Sequence, residues 1–305
     1  MALKQIKSKI RATDRTRKVT KAMEAVSAVK MRKGQERALL GRTYAATALK
    51  ILSRVAGSQS AKTHPLAVQR SGNRTLIFLI TSDKGLAGSL NSAVIKEALK
   101  VIENIPKESV SFVCLGKRGY EFFEKRGYRV LAHRVNMSDI VLLEDMTELT
   151  AIAIEQYVIG NTDKVLLTYQ NFKSTFEQEP VMRQIFPLNT EALEEAVKGI
   201  TPTYGKYYQI ENEKNTPVTY TIEPSEEVVI GELFPRLASI LVYHALTESK
   251  ASEHSARMVA MKNATDKAKD VSRLLNLKYN KARQAAITRE VSEITGGIEA
   301  MAQVE

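Results

Sequence analysis

The sequence predicts an α/β protein in which a small, mostly parallel sheet domain lies between two long helices that pair as an antiparallel coiled coil. Three observations carry this. Arg236 to Thr295 is sixty residues without Gly or Pro, opened by Pro235 and closed by Gly296-Gly297. Pro suits a helix's first turn and Gly the residues past its end. At 1.5 Å per residue such a helix runs roughly 90 Å, longer than a core of this chain's size can cover. Ala2 to Lys33 also lacks both residues, and helical spacing of apolar side chains continues past Gly34 and Gly41 to about Val55. Between these ends, short apolar runs alternate with amphipathic stretches, the pattern of strands joined by crossover helices.

The first coil arm is expected over 1–57. Leu3, Ile6 and Ile10, then Val19, Ala22, Met23, Val26 and Val29, follow helical spacing on one stripe. The stripe is thin and rich in Ala, Thr and Ser, so the two arms should approach closely. Gly57, Pro65 and Gly72 mark a connector from Ser58 to Asn73. A Rossmann-like domain follows over 74–224. Its first strand, Thr75–Thr81, is a continuous apolar run of the doubly covered kind. A glycine-rich turn and a helix to about Glu103 come next. Strands are then expected at Ser109–Leu115, Tyr128–Ala132, Lys164–Tyr169 and Val181–Leu188, the last pairing with the fourth. Helices are expected at Arg118–Lys125 and about Glu144–Val158. The polar stretch 189–224 reads as a surface excursion of this domain. Ser225, Glu226 and Glu227 start a helix. Pro235 should bend or restart it, and 225–305 forms the second arm.

The net charge of +11 is concentrated in the arms. Residues 1–33 hold eleven Lys and Arg against Asp14 and Glu24, a net of +9; residues 250–290 hold ten against four acids, a net of +6. The remainder is therefore at −4. Such a surface is a docking face for an acidic partner, either nucleic-acid phosphates or a carboxylate-rich protein. No apolar run reaches the length of a membrane span, with Leu76–Ile80 among the densest, and the basic N-terminus has no apolar signal core. Cys114, alone, makes no internal disulfide and suits a reducing compartment.

No catalytic constellation, metal cluster or cofactor motif is recognisable. Asp83–Gly88 follows a strand and opens a helix, but it matches neither G-x-G-x-x-G nor G-x-x-x-x-G-K-[ST], and a tight turn needing positive φ explains its glycines. His244 and His254 stand ten apart on one helix, off a common face. Glu253 and Arg257, at i and i+4, form an ordinary helix pair.

Two stretches of the second arm carry a resemblance. Ser252-Glu253-His254-Ser255-Ala256-Arg257-Met258-Val259-Ala260-Met261-Lys262-Asn263-Ala264-Thr265-Asp266 and Tyr279-Asn280-Lys281-Ala282-Arg283-Gln284-Ala285-Ala286-Ile287-Thr288-Arg289-Glu290 resemble signatures of the gamma subunit of F-type rotary ATP synthases. Thr20-Lys21-Ala22-Met23 and Thr81-Ser82-Asp83-Lys84-Gly85-Leu86 fit the same family. The match departs where Ala87-Gly88-Ser89 stands in place of the family's Cys-Gly-Gly, and in the long excursion, which has no cysteine for a thiol switch.

The resemblance implies a non-catalytic rotor shaft. Its coil lies inside a ring of three alpha and three beta subunits, its foot sits with the epsilon subunit on the membrane ring of c subunits, and it binds no cofactor, small molecule or nucleic acid. The subunit contacts it implies are Lys18, Lys21, Met23, Glu253, Arg257, Lys262, Arg283, Gln284 and Thr288. A shaft of this kind should have small residues inside and a smooth polar exterior. Because the match starts within the first residues, no presequence is expected. The implied location is peripheral, on the cytoplasmic face of a bacterial inner membrane or on a thylakoid membrane. The alternative is a basic coiled-coil nucleic-acid binder or adaptor, against which Tyr279 is the only aromatic in 250–290. A nucleotide enzyme built on the α/β domain is the third reading.

Overall fold

A computed structural model describes residues 3–55, 59–188, 223 and 225–302, with side-chain surroundings for 3–37, 60–188, 223 and 225–298. The excursion expected at 189–224 lies outside the described residues apart from Glu223. Two compact units result: 27–257, and 1–26 together with 258–305. Helix α1 (Leu3–Val55) and helix α6 (Glu226–Ala302) each contribute to both.

Unit 27–257 is built on a five-stranded sheet in the order β3-β2-β1-β4-β5. Its strands are β1 (Thr75–Ile80), β2 (Val110–Leu115), β3 (Arg129–Arg134), β4 (Lys164–Phe172) and β5 (Gln178–Phe186). The first four run parallel, and β5 pairs antiparallel with β4. Every residue of β1 is buried, as its unbroken apolar run requires of a central strand covered on both faces. On one face Ile77, Leu79, Phe112 and Cys114 pack under α3 (Leu90–Ile102) and α4 (Lys117–Glu124). On the other, Leu76, Phe78, Val113 and Leu167 meet α5 (Leu143–Val158) and the start of α6. A short helix, α2 (Gln59–Thr63), lies within the expected connector.

Most boundaries fall within three residues of expectation, and four departures have a local reason. Strand β3 begins one residue late because Tyr128 turns inward against Phe112 and Phe123, with ring centroids 5.5 and 5.4 Å apart. Strand β5 begins at Gln178 because the hairpin after β4 is tight enough for Phe172 to pair with Gln178. Pro180 is tolerated there because β5 is an edge strand. Pro235 does not restart the helix: α6 runs through it. Ile230, Phe234, Leu237 and Ala238 are buried on both sides of it, each large apolar side chain worth roughly 1.5–3 kcal/mol, which outweighs one missing hydrogen bond. Finally, α6 does not close at Gly296-Gly297 but continues to Ala302.

No apolar run in the sequence reaches the length of a membrane span, yet one 18-residue window of α6 has a mean hydropathy of 1.3. It is 56% buried, and Leu237, Ile240, Val242, Ala245 and Leu246 of α6 belong to the sheet's core. Burial on several sides of a single helix explains an apolar character that is not confined to one stripe.

In the unit formed by 1–26 and 258–305, the two long helices run antiparallel. Thr265 Oγ1 donates to Thr20 Oγ1 at 2.7 Å, and Ser272 Oγ donates to Asp14 Oδ1 at 3.1 Å. Six residues back along α1 thus match seven forward along α6, which fixes the direction. The seam is narrow: Met261, Ala268 and Ser272 are buried on α6, and Ile6 and Thr20 on α1. Val19 and Val26, expected on that seam, are instead 58% and 55% exposed.

Candidate functional site

In open α/β sheets, ligands sit outside the carboxyl ends of the strands. In unit 27–257, helix α6 occupies that edge, and the eight residues Lys250–Arg257 bond it there. Ser252 Oγ donates to the Gln170 carbonyl of β4 at 3.2 Å, and Ser255 Oγ to the Thr175 carbonyl of the β4–β5 hairpin at 2.5 Å. Lys250 Nζ donates to the Met137 carbonyl, in the loop after β3, at 3.2 Å. Arg257 Nη2 donates to Glu253 Oε1 at 2.6 Å and reaches the carbonyls of Lys84 and Gly85, in the turn after β1, at 3.4 Å each.

The same edge holds α1. Asp139, two residues beyond Met137, places Oδ2 2.8 Å from Lys30 Nζ on α1 and Oδ1 3.0 Å from His254 Nε2 on α6. Its own carbonyl accepts from Arg37 Nη1 at 2.9 Å. Burial pushes the Asp139 carboxyl up, but hydrogen bonds and charge from Lys30 and His254 outweigh this and hold it at about 2. Burial lowers both His254 and Lys250 from their ordinary values. A neutral imidazole donating through Nε2 therefore faces the carboxylate. Close by, α1 and α6 nearly touch: a Cβ on Gly34 would lie 3.3 Å from the Ala251 Cα. The small-residue seam expected between the arms is met here.

The glycine-rich turn is bonded within itself. Ser82 N donates to Asn91 Oδ1 at 2.9 Å, Ser82 Oγ to the Lys84 carbonyl at 2.6 Å, and the Lys117 N–H that opens α4 donates to Asp83 Oδ1 at 3.0 Å. A phosphate cradle offers backbone N–H groups; this turn offers carbonyls to a guanidinium. Positive φ occurs at Gly88 (60°) and also at Leu86 (64°), but not at Gly85, so only part of the glycine content answers to turn geometry.

The site residues expected from the sequence divide in two. Lys18, Lys21, Lys262, Arg283, Gln284 and Thr288 are exposed and Met23 is half-buried, all in the unit 1–26 with 258–305. Thr288 Oγ1 bonds back to the Gln284 carbonyl at 3.0 Å. Glu253 and Arg257 instead lie inside unit 27–257, and Arg257 is buried. Sequence reasoning missed Asp139, Lys30, Lys250, Ser252, Ser255 and His254 as a joint. The available signal was Ser249, Ser252 and Ser255, polar residues at helical spacing, all buried.

The fold and the joint define a class: an α/β domain whose strand ends are built to hold a helical coil. Comparisons narrow it. The family model of ATP synthase matches residues 2–301. The ATP synthase gamma chain of Methylobacillus flagellatus is 39% identical over 303 residues, and that of Heliobacterium modesticaldum 37% over 299, each match covering 98% of this chain and 99% of the relative. Among solved structures, a chain of the central stalk and c-ring of Tetrahymena thermophila mitochondrial ATP synthase aligns with a TM-score of 0.61 at 25% identity, over 81% of this chain and 99% of that one. A chain of Euglena gracilis mitochondrial ATP synthase shares the fold, with a TM-score of 0.64 at 17% identity, over 98% of this chain and 94% of that one. The chain belongs to the ATP synthase gamma-chain family.

Proposed function

We propose that the chain is the central rotor shaft of an F-type ATP synthase. It couples ion-driven rotation of the membrane c-ring to conformational cycling of the catalytic beta subunits, and does no chemistry itself. Functionally it divides into two coil arms, 1–57 and 225–305, and a foot, 74–224. Its partners are the alpha and beta subunits, the epsilon subunit and the c-ring. It sits peripherally, on the cytoplasmic face of a bacterial inner membrane or on a thylakoid membrane.

One observation carries the reading. Continuing the antiparallel register eleven residues beyond Asp14 and Ser272 brings Leu3 level with residues near 283. Helix α6 runs on to Ala302 without α1 beside it. On that last stretch Ile287, Val291, Ile294 and Ile298 recur at four- and three-residue steps and are 50–64% exposed. With the exposed Val19 and Val26, they make the shaft's surface partly apolar, not the smooth polar exterior expected. Apolar rows of this kind mark a surface covered by a partner, and an encircling ring covers it on every side. Lys18, Lys21, Met23, Lys262, Arg283, Gln284 and Thr288 then face the ring. Glu253 and Arg257 instead bond α6 to the turn after β1. Exposed pairs of about 0–1 kcal/mol can be exchanged as the shaft turns, where strong fixed ones would stop it.

Reconstitution tests this. Alpha and beta subunits from a gamma-chain relative's enzyme should hydrolyse ATP at a rate that depends on adding this chain. Tight duplex DNA binding at physiological salt, without affinity for alpha and beta, would favour the nucleic-acid reading instead. The relatives give that reading no support.

A further inference from the structure

Resting on the rotor reading, a specific residue can be assigned to the transfer of torque between foot and coil. We propose that Asp139 is the positioning residue through which the α/β domain holds both long helices, so that the foot cannot turn without the coil. Its two carboxylate oxygens go to different helices, Oδ2 to Lys30 of α1 at 2.8 Å and Oδ1 to His254 of α6 at 3.0 Å. The backbone repeats the arrangement. The Asp139 carbonyl accepts from Arg37 of α1 at 2.9 Å, and the Met137 carbonyl accepts from Lys250 of α6 at 3.2 Å. Lys30 and Arg37 stand seven apart, and Lys250 and His254 four apart, so each pair shares one helix face. One loop therefore grips each helix at two points a turn or more apart, which resists rotation as a single point does not. Ser252, Ser255 and Arg257 bond α6 alone, leaving this loop as the place among the described residues where both helices meet one carboxylate.

The joint carries a pH signature. A carboxylate only accepts, so His254 Nε2 holds the hydrogen and Nδ1 is bare. That Nδ1 is buried and has no hydrogen-bond partner. The ring feels Asp139 from the β3–α5 loop and Glu253 and Arg257 from its own helix, while Lys250 beside it feels Lys30 of α1 and Asp83 of the turn after β1, and Arg37 of α1 bonds the Asp139 carbonyl. The two carboxylates favour a second ring proton, but burial outweighs them. That proton would be a buried N–H without an acceptor, so acid loosens the grip.

The test uses the whole complex in sealed vesicles, recording protons pumped per ATP hydrolysed. Asp139→Asn should lower that ratio severalfold, and Lys30→Gln should lower it less. The wild-type ratio should hold at about pH 6.5, the ordinary imidazole value, and fall only below it, because burial lowers His254. His254→Gln, whose amide still donates to Asp139 but does not titrate, should flatten that fall. A wild-type ratio in Asp139→Asn overturns the assignment, and so does an unchanged ratio with hydrolysis and pumping lost in parallel. Should Asp139→Asn not assemble, Lys30→Gln decides: its side chain is half-exposed, and an unaltered ratio there overturns the assignment equally. A wild-type complex that hydrolyses ATP without pumping would instead refute the rotor reading.

Discussion

Gly34 offers a contest between two effects whose sign the structure decides. Replacing a helix-interior glycine by alanine gains about 0.8–1 kcal/mol of helix propensity. Here the new Cβ would meet the Ala251 Cα at 3.3 Å and its Cβ at 3.4 Å, a contact that α6 relieves by moving a few tenths of an ångström. Gly34→Ala should thus be close to neutral. Gly34→Val gains less propensity and adds two branched methyl groups in the same gap, where overpacking costs about 1–3 kcal/mol. A net loss of roughly 1–2 kcal/mol follows, a fall in Tm of about 2–8 °C. Because the neighbour is backbone as well as side chain, Ala251→Gly should relieve only part of it. In a double-mutant cycle the pair should couple by about 0.5–1 kcal/mol. Thermal melts of the wild-type chain, Gly34→Ala, Gly34→Val, Ala251→Gly and the Gly34→Val/Ala251→Gly pair by circular dichroism measure this. A Gly34→Val chain melting at or above Gly34→Ala, with additive effects in the cycle, would refute close approach of the helices at this point.

Three further outcomes are expected. Arg257→Ala leaves Glu253 half-buried without its cation and should destabilise the chain by about 2–3 kcal/mol in denaturant melts, with Arg257→Lys intermediate, since an ammonium cannot reach both carbonyls at once. Acid should weaken the fold in two stages. His254 is depressed in the folded state, so its contribution is complete above about pH 6.5 and is lost as pH falls below that; Asp163, held down by its hydrogen bonds from Arg74, and Asp139, at about 2, contribute stability that is lost only below about pH 4. Stability curves of His254→Gln and Asp163→Asn against pH should lose part of the first and part of the second stage respectively, since burial also lowers His64 and Asp139 still titrates in the second. Arg283→Ala and Gln284→Ala, at exposed positions on α6, should lower ATPase turnover of the assembled complex while leaving the chain's own melting unchanged, and unaltered turnover in both would make that contact dispensable.

The parts of this architecture that were legible share one feature: a local rule that nothing else opposed. The apolar run of β1 reads as a covered central strand because both its faces are in fact covered. The long helices are legible because Gly and Pro are missing where they would break them. The misreadings fall where packing overrode such rules. Pro235 is carried through by the buried side chains either side of it, and Val19 and Val26 lie outward while the smaller Thr20 and Ser27 are buried. Ile6 of the expected stripe is buried, but around Val19 and Val26 the buried positions are the neighbouring small polar residues, so hydrophobicity alone placed only part of the stripe. The joint was illegible for a different reason. Lys30, Asp139 and His254 are separated by more than a hundred residues at each step, and each is unremarkable among its sequence neighbours. Only the sheet's topology, bringing the β3–α5 loop to the strand ends beneath α6, makes one site of them.

The central claim is that this chain turns. A gold bead attached to a cysteine placed on the foot, in a complex whose beta subunits are fixed to glass, makes the motion visible. The account predicts stepwise rotation in one direction while ATP is hydrolysed, slowing as ATP is diluted. Sustained hydrolysis in complexes that contain the chain while the bead stays still would contradict it.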